Sequence, residues 1–156
     1  MQNHPCRKSP RATFHNYSGG CYFVTICTAD KRHYFGSIQN SKMKYTEVGL
    51  YADAQISQLN RHYPYCTPVI WVIMPNHIHI IVEITDKNTP CERMALSVVI
   101  GGLKRSITLY AKRNDYEFAW QTRYHDHIIR GNHDGKLIEE YITNNVARWD
   151  DDCFYS

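Results

Sequence analysis

Two histidines, His77 and His79, stand two residues apart in Pro75-Asn76-His77-Ile78-His79-Ile80-Ile81-Val82. The branched apolar residues around them read as a buried or half-buried strand. In a strand, residues i and i+2 share a face. Both imidazoles are therefore expected side by side on one side of a sheet. Two neutral imidazoles so placed can hold one divalent metal and leave its other positions open. Such a centre polarises a phosphoryl or carbonyl oxygen. The pattern is short, and by itself it describes ordinary sheet histidines more often than a metal site. Glu83 continues the same face, either as an acceptor behind a ligand histidine or as the polar end of the strand.

A second pair lies near the end of the chain. Tyr141 and Asn145 are four residues apart, so on a helix they share a face. Leu137, Ile138 and Ile142 flank them. From spacing alone, Tyr141 reads as a helix tyrosine packed at the edge of the apolar stripe with a wet hydroxyl. Nothing in the composition singles it out among twelve tyrosines.

Basic residues gather in three places: Arg7, Lys8 and Arg11; Lys104, Arg105, Lys112 and Arg113; and Arg123, Arg130 and Arg148. Tyr110, Tyr116, Trp120 and Tyr124 are interleaved. Any one cluster could be a solvated face. Together, basic tracks with stacking rings point to a phosphate-rich partner such as single-stranded nucleic acid. The formal net charge of +3 permits that partner without demanding it.

The elements that must position these residues follow from the hydrophobic pattern. At 156 residues, with 43% apolar and 21% charged residues, the sequence suits a single domain over 1–156 with one sizeable core. Residues 1–20 read as a basic arm. The six cysteines contain no CxxC pair, and the first residues lack the apolar run of a signal peptide. The cysteines are expected to be reduced and mostly buried, in a cytoplasmic protein with no membrane span.

Tyr22 to Thr28 reads as a strand, and Lys31 to Ser41 as a loop or short hairpin around Gly36. Thr46-Glu47 opens a helix that Tyr63-Pro64 stops. Val69 to Met74 and His77 to Ile84 form a hairpin across Pro75-Asn76. Asp86 to Cys91 is a loop. Leu96 to Arg113 is a long helix weakened or notched at Gly101-Gly102. A strand follows around Arg123 to Ile129. The last helix runs from about Asp134 to Ala147, capped by Asn132 or Asp134. This order, βαββαβ plus a terminal helix, is an α+β, ferredoxin-like antiparallel sheet. Its helices would lie on one face and leave the other free for a site.

With these segments in hand, the chain resembles the single-tyrosine HUH transposases, most closely the REP-associated tyrosine transposases of bacteria. The resemblance rests on Arg7-Lys8-Ser9-Pro10-Arg11, Gly20-Cys21-Tyr22-Phe23-Val24-Thr25-Ile26-Cys27, Met74-Pro75-Asn76-His77-Ile78-His79-Ile80-Ile81-Val82, Trp120 to Arg130, and Tyr141-Ile142-Thr143-Asn144-Asn145. It implies that His77, His79 and Asn145 bind Mg²⁺ or Mn²⁺. It implies that Tyr141, on the C-terminal helix, is the nucleophile. Single-stranded or hairpin DNA of imperfect palindromic repeats is the implied partner, cleaved and rejoined through a 5′-phosphotyrosine. The family includes dimers with the tyrosine donated in trans and members that act as monomers, so a homodimer stays open. His125 and His127 repeat the two-residue spacing, but the family pattern puts them in a structural or DNA-contacting strand. His127, like Glu83, is a candidate to orient a ligand histidine from behind. Two other function classes compete: a domesticated, non-catalytic DNA- or RNA-binding protein, and a metal phosphodiesterase that uses water.

Overall fold

Runs of alternating and continuous branched residues build the central sheet, as their β propensity dictates. The structure is a computed structural model, and it describes residues 7–8, 17, 20–85 and 92–155. Arg11, Cys6, Cys91, the 86–91 loop and most of the arm lie outside the described residues. Of Arg7 and Lys8 only the backbone is described.

The elements are β1 (Arg7–Lys8), β2 (Cys21–Thr28), β3 (Gly36–Gln39), β4 (Lys42–Tyr45), α1 (Glu47–Ser57), α2 (Leu59–His62), β5 (Cys66–Ile73), β6 (His77–Ile84), α3 (Glu92–Arg113), β7 (Trp120–Ile128) and α4 (Asn132–Asn144). The main sheet has the order β1-β5-β6-β2-β7, with every pairing antiparallel. Without the two-residue β1, this is the ferredoxin-like arrangement. The two middle strands, β6 and β2, are the third and first long strands of the chain. A crossover through α1 and another through α3 reach the outer strands.

Register fixes which residues share a face. Trp71 pairs with Ile80, and Trp71 Nε1 donates to Asp53 Oδ1 of α1 at 2.9 Å. Tyr124 pairs with Ile26, and its hydroxyl lies 3.0 Å from Ser97 Oγ of α3. So α1 and α3 cover the Ile80 face. Val72, His79, Thr25 and His125 form a row on the opposite face. That face is not free. The Tyr141 hydroxyl of α4 reaches His79 there, and α4 packs against β5. The helices therefore lie on both sides of the sheet, because α4 carries its own apolar stripe, with Ile142 fully buried.

Local details differ from the pattern reading. The β3–β4 hairpin turns at Asn40-Ser41, both at positive φ (53° and 59°), and Gly36 instead opens β3. Thr46 caps α1 by accepting from the Gly49 amide at 3.1 Å. Asn132 and Asp134 do not occupy the cap position of α4, which falls to Gly131. Instead the Asp134 carboxylate reaches back to the Arg130 amide at 3.1 Å. At Gly102 of α3 a Cβ would sit 1.9 Å from the Tyr63 hydroxyl, so this glycine admits a close neighbour. Cys21, Cys27 and Cys66 are free buried thiols and Cys153 is free and exposed, so the described cysteines are mostly buried as expected. No helix among the described residues is long and apolar enough to cross a membrane.

Candidate metal centre

Strand β6 presents His77 and His79 on one face, as i, i+2 spacing requires, with ring centroids 4.5 Å apart. Both are buried, at 0% and 1% exposure. Each ring is held from behind. His77 Nδ1 lies 2.7 Å from Asn76 Oδ1, and Asn76 Nδ2 donates to the Phe154 carbonyl at 2.8 Å. With the Asn76 amide so oriented, Nδ1 of His77 is the donor. Its Nε2 keeps a lone pair that points into the site. His79 Nδ1 lies 2.8 Å from Thr25 Oγ1, the residue opposite it on β2. That contact leaves His79 Nε2 facing the same space.

The chain after α4 closes over the pair. Turns at 145–148 and a 3₁₀ turn at Trp149–Asp151 bring Asp152 to the histidines. Asp152 Oδ2 lies 3.7 Å from His77 Nε2, and both side chains are fully buried. His77, His79 and Asp152 offer ligand atoms within 4.8 Å of one another, which suits one divalent metal. Two imidazole nitrogens and a carboxylate oxygen make a mixed donor set open to several first-row and hard cations. The Phe154 ring packs on both, tilted against His77 at 4.5 Å and edge-on to His79 at 5.8 Å.

The fit to a cation is also seen in what is left unsatisfied. His77 Nε2 and Asn145 Oδ1 are buried and meet no hydrogen-bond partner of good geometry among the described residues. Asn145 Nδ2 donates to Asp152 Oδ2 at 2.8 Å, so its oxygen is turned the other way. Each unsatisfied buried polar atom costs about 1–3 kcal/mol. A cation held by His77, His79 and Asp152 would satisfy His77 Nε2.

Electrostatics follow from burial. Burial pushes His77 down to about 3, against a smaller upward pull from Asn145. His79 is held well below its ordinary value by burial and by the neighbouring His77, with Asp152 opposing. Both rings are therefore neutral at pH 7, the state a metal needs. The Tyr141 hydroxyl approaches His79 Nε2 at 3.4 Å, within the same chain. The tyrosine is 42% exposed, with its ring edge-on to Phe23 at 6.3 Å. Burial and then the Asp152 and Cys153 charges push its phenol up to about 12, and Asn145 pulls it down.

Other expected residues fall elsewhere. Glu83 sits at the far end of β6, opposite Cys21 and Thr67, about 13 Å along the strand from His79. It is too remote to orient a ligand histidine, and Asn76 and Thr25 take that role. His127 projects from the same sheet face as Phe23, but its Nε2 bonds Asp134 Oδ2 at 3.0 Å rather than a ligand. Lys104 is half-buried: its Nζ donates to the Gln121 carbonyl at 2.9 Å and lies over the Trp120 ring. Arg105, Lys112 and Arg113 are exposed on α3, behind the sheet from the histidines. Arg123 is exposed on the histidine side, in a groove of about 550 Å³ lined also by Lys31, Trp120 and His125. Arg130 is exposed at the start of the turn into α4.

Asp152 is the residue that sequence reasoning missed. Its only sequence signal is the acidic run Asp150-Asp151-Asp152 beside Trp149.

Comparison with known proteins agrees with this architecture. An uncharacterised protein of Haemophilus influenzae is 35% identical over 167 aligned residues, covering 96% of this chain and 93% of that protein. The chain belongs to its family. No family model matches the sequence. Among solved structures, a REP-associated tyrosine transposase bound to a REP hairpin superposes with a TM-score of 0.62 at 20% identity, covering 95% of this chain and 74% of that one. A protein of Deinococcus radiodurans R1 assigned as a transposase gives a TM-score of 0.52 at 15% identity, covering 88% and 97%. The fold is thus shared with these two structures.

Proposed function

We propose that this family member is a metal-dependent strand transferase that cleaves and rejoins single-stranded hairpin DNA, with Tyr141 as the nucleophile. The observation that carries this reading is the 3.4 Å approach of the Tyr141 hydroxyl to a buried two-histidine, one-carboxylate cluster. His77 Nε2, His79 Nε2, an Asp152 oxygen and Asn145 Oδ1 are the donors offered to one Mg²⁺ or Mn²⁺. When bound, that cation supplies positive charge to a non-bridging oxygen of the scissile phosphate.

The chain's own residues do the rest. Asn76 and Thr25 fix the two rings so that their lone pairs converge. The Tyr141 oxygen attacks phosphorus in line. A P–O bond forms as the bond to the 3′ oxygen breaks, and the departing oxygen takes up a proton to become a 3′-hydroxyl. The product is a 5′-phosphotyrosine. One phosphodiester replaces another, so the step reverses onto a second strand without ATP. The phenol must lose its proton, and the Asp152 charge opposes that loss. Offsetting that charge is therefore part of activating Tyr141. Tyr141 reaches the cluster of its own chain, which supports action in cis in this reading.

Hairpin DNA as substrate draws on the solved relative, described as bound to a REP hairpin. Arg123 and Lys31 line the groove beside β7, where a backbone could approach the cluster. Arg130, Arg105, Lys112, Arg113 and the arm residues Arg7, Lys8 and Arg11 are further phosphate contacts in this reading.

The test is incubation with hairpin oligonucleotides carrying single-stranded flanks, with Mn²⁺, followed by a denaturing gel. Wild type should yield a covalent protein–DNA adduct. Tyr141→Phe should yield none, with hairpin affinity unchanged. An adduct in the Phe variant would make another tyrosine the nucleophile. Cleavage without any adduct would mean a water-using phosphodiesterase. Binding without cleavage under every metal would mean a domesticated DNA- or RNA-binding protein.

A further inference from the structure

The helix that carries Tyr141 is gripped by a residue from the opposite end of the chain. Tyr17 is 1% exposed and lies against α4. Its ring fills a notch made by Gly135, where a Cβ would sit 2.2 Å from Tyr17 Cδ2. No side chain but hydrogen leaves that room. The Tyr17 amide donates to Asn132 Oδ1 at 2.8 Å, which explains why Asn132 does not cap its own helix. Lys136 Nζ lies 5.6 Å from the Tyr17 ring centroid and pairs with Glu139 at 3.0 Å. Glu139 is itself buried, at 6% exposure, and its charge acts on the Tyr17 phenol. Asn132, Gly135 and Lys136, and Glu139 recur at helical spacing, so Tyr17 engages two turns of α4 along one stripe.

Tyr141 leaves the helix elsewhere. At about 100° per residue it projects about 200° round from Glu139. Tyr17 therefore cannot touch reacting atoms, but it can set the rotation and height of the helix that does. Its own segment leads into β2, whose Thr25 holds His79 and whose Phe23 packs on the His79 and Tyr141 rings. The grip on α4 and the support of the ligand histidine thus come from one short stretch of chain.

We propose that Tyr17 is a positioning residue: seated in the Gly135 notch, it locks α4 in the orientation that holds the Tyr141 hydroxyl at the His77–His79–Asp152 cluster. The proposal rests on the reading of Tyr141 as nucleophile. It assigns the N-terminal segment a structural hold on the reaction centre in addition to any binding of DNA.

The experiment uses the full chain, Mn²⁺ and a hairpin oligonucleotide. It reads single-turnover adduct formation, hairpin Kd, and amide exchange along α4. Tyr17→Ala should slow adduct formation by about 10–100-fold, as a displacement near 1 Å does. Hairpin Kd should stay within about threefold, and α4 amides should exchange faster. Tyr17→Phe keeps the ring in the notch and should restore the rate. Gly135→Ala closes the notch and should slow adduct formation too, and the Tyr17→Ala/Gly135→Ala double variant should be no slower than the worse single variant. A wild-type rate in Tyr17→Ala would overturn the proposal. So would a loss of hairpin affinity as large as the loss of rate, since Tyr17 would then act through binding. If Tyr17→Ala fails to fold, Gly135→Ala decides on the same readouts. If wild type forms no adduct, the nucleophile reading fails. Amide exchange then judges the anchor alone, and unchanged α4 exchange in Tyr17→Ala would overturn it.

Discussion

The molecule contains two His-X-His pairs, and among the described residues only one of them stands in a cluster able to hold a metal. His77/His79 and His125/His127 share their spacing. Through β2 they also share a sheet face: Thr25 is opposite His79 on one side and His125 on the other. The first pair lies on a middle strand, flanked on both sides and covered by α4 and the chain after it. The second lies on the sheet's edge strand and is exposed. Spacing aims the rings, and neighbours decide what aimed rings can do. Asn76 and Thr25 fix the inner rings by their Nδ1 atoms and Asp152 adds a carboxylate. In the outer pair His127 Nε2 meets Asp134 Oδ2 at 3.0 Å, and that carboxylate serves the entry to α4.

The largest effect should separate the two pairs directly. Replacing His77 and His79 with Ala should weaken Mn²⁺ binding by at least about 100-fold. The same change at His125 and His127 should leave it within about threefold. Calorimetric titration of both variants checks this. Equal losses would erase the distinction between the middle and edge pairs.

A second difference should appear as pH falls. In the metal-free protein, His77 is buried and neutral, with its pKa lowered to about 3, against an unfolded value near 6.5. The unfolded chain then binds more protons, so stability is full above the unfolded pKa and drains as pH drops from about 6.5 towards 3. The slope approaches about 1.4 kcal/mol per pH unit for each such ring. His79 adds in the same direction. Urea melts of chelator-treated protein at stepped pH should show this limb, and His77→Gln should flatten it. A limb unmoved by His77→Gln would show that other groups set the acid sensitivity.

The smallest effect concerns the two sides of the sheet. Neutralising Arg105, Lys112 and Arg113 on α3 should lower the salt slope of single-stranded DNA binding by about 0.7 for each phosphate no longer neutralised. Removing the charge of Arg123, in the groove on the histidine side, should cost one such unit. An unaltered slope in the α3 variant would mark the far face as merely solvated. It would leave the groove side and the basic arm as the DNA path.

Much of this was readable in the residues. β6 could be bounded from its apolar run alone, and the facing of His77 and His79 is a necessity of strand geometry. The βαββαβ order followed from periodicity, because each long element buries one face and its pattern records that. The position of Tyr141 came from likeness to a family rather than from spacing. What could not be read depends on tertiary return. Asp152 follows turns with no periodic pattern, and three adjacent aspartates usually signal solvent. Glu83 shares a face with His79, yet sharing a face says nothing about how far apart two residues lie along it. The covering of the histidine face by α4 was hidden for the same reason: amphipathicity shows that a helix packs, not on which side. By propensity Gly135 is a weak point in a helix, and only Tyr17 explains it.

The order in which the centre's parts leave the ribosome has a consequence of its own. The strand with both histidines is made first, then the tyrosine, and then Asp152. A chain cut short between Tyr141 and Asp152 would keep both histidines and the tyrosine but lack the carboxylate that closes the donor set. Completion of the donor set therefore waits on the turn after α4, whichever strand and helix are already in place.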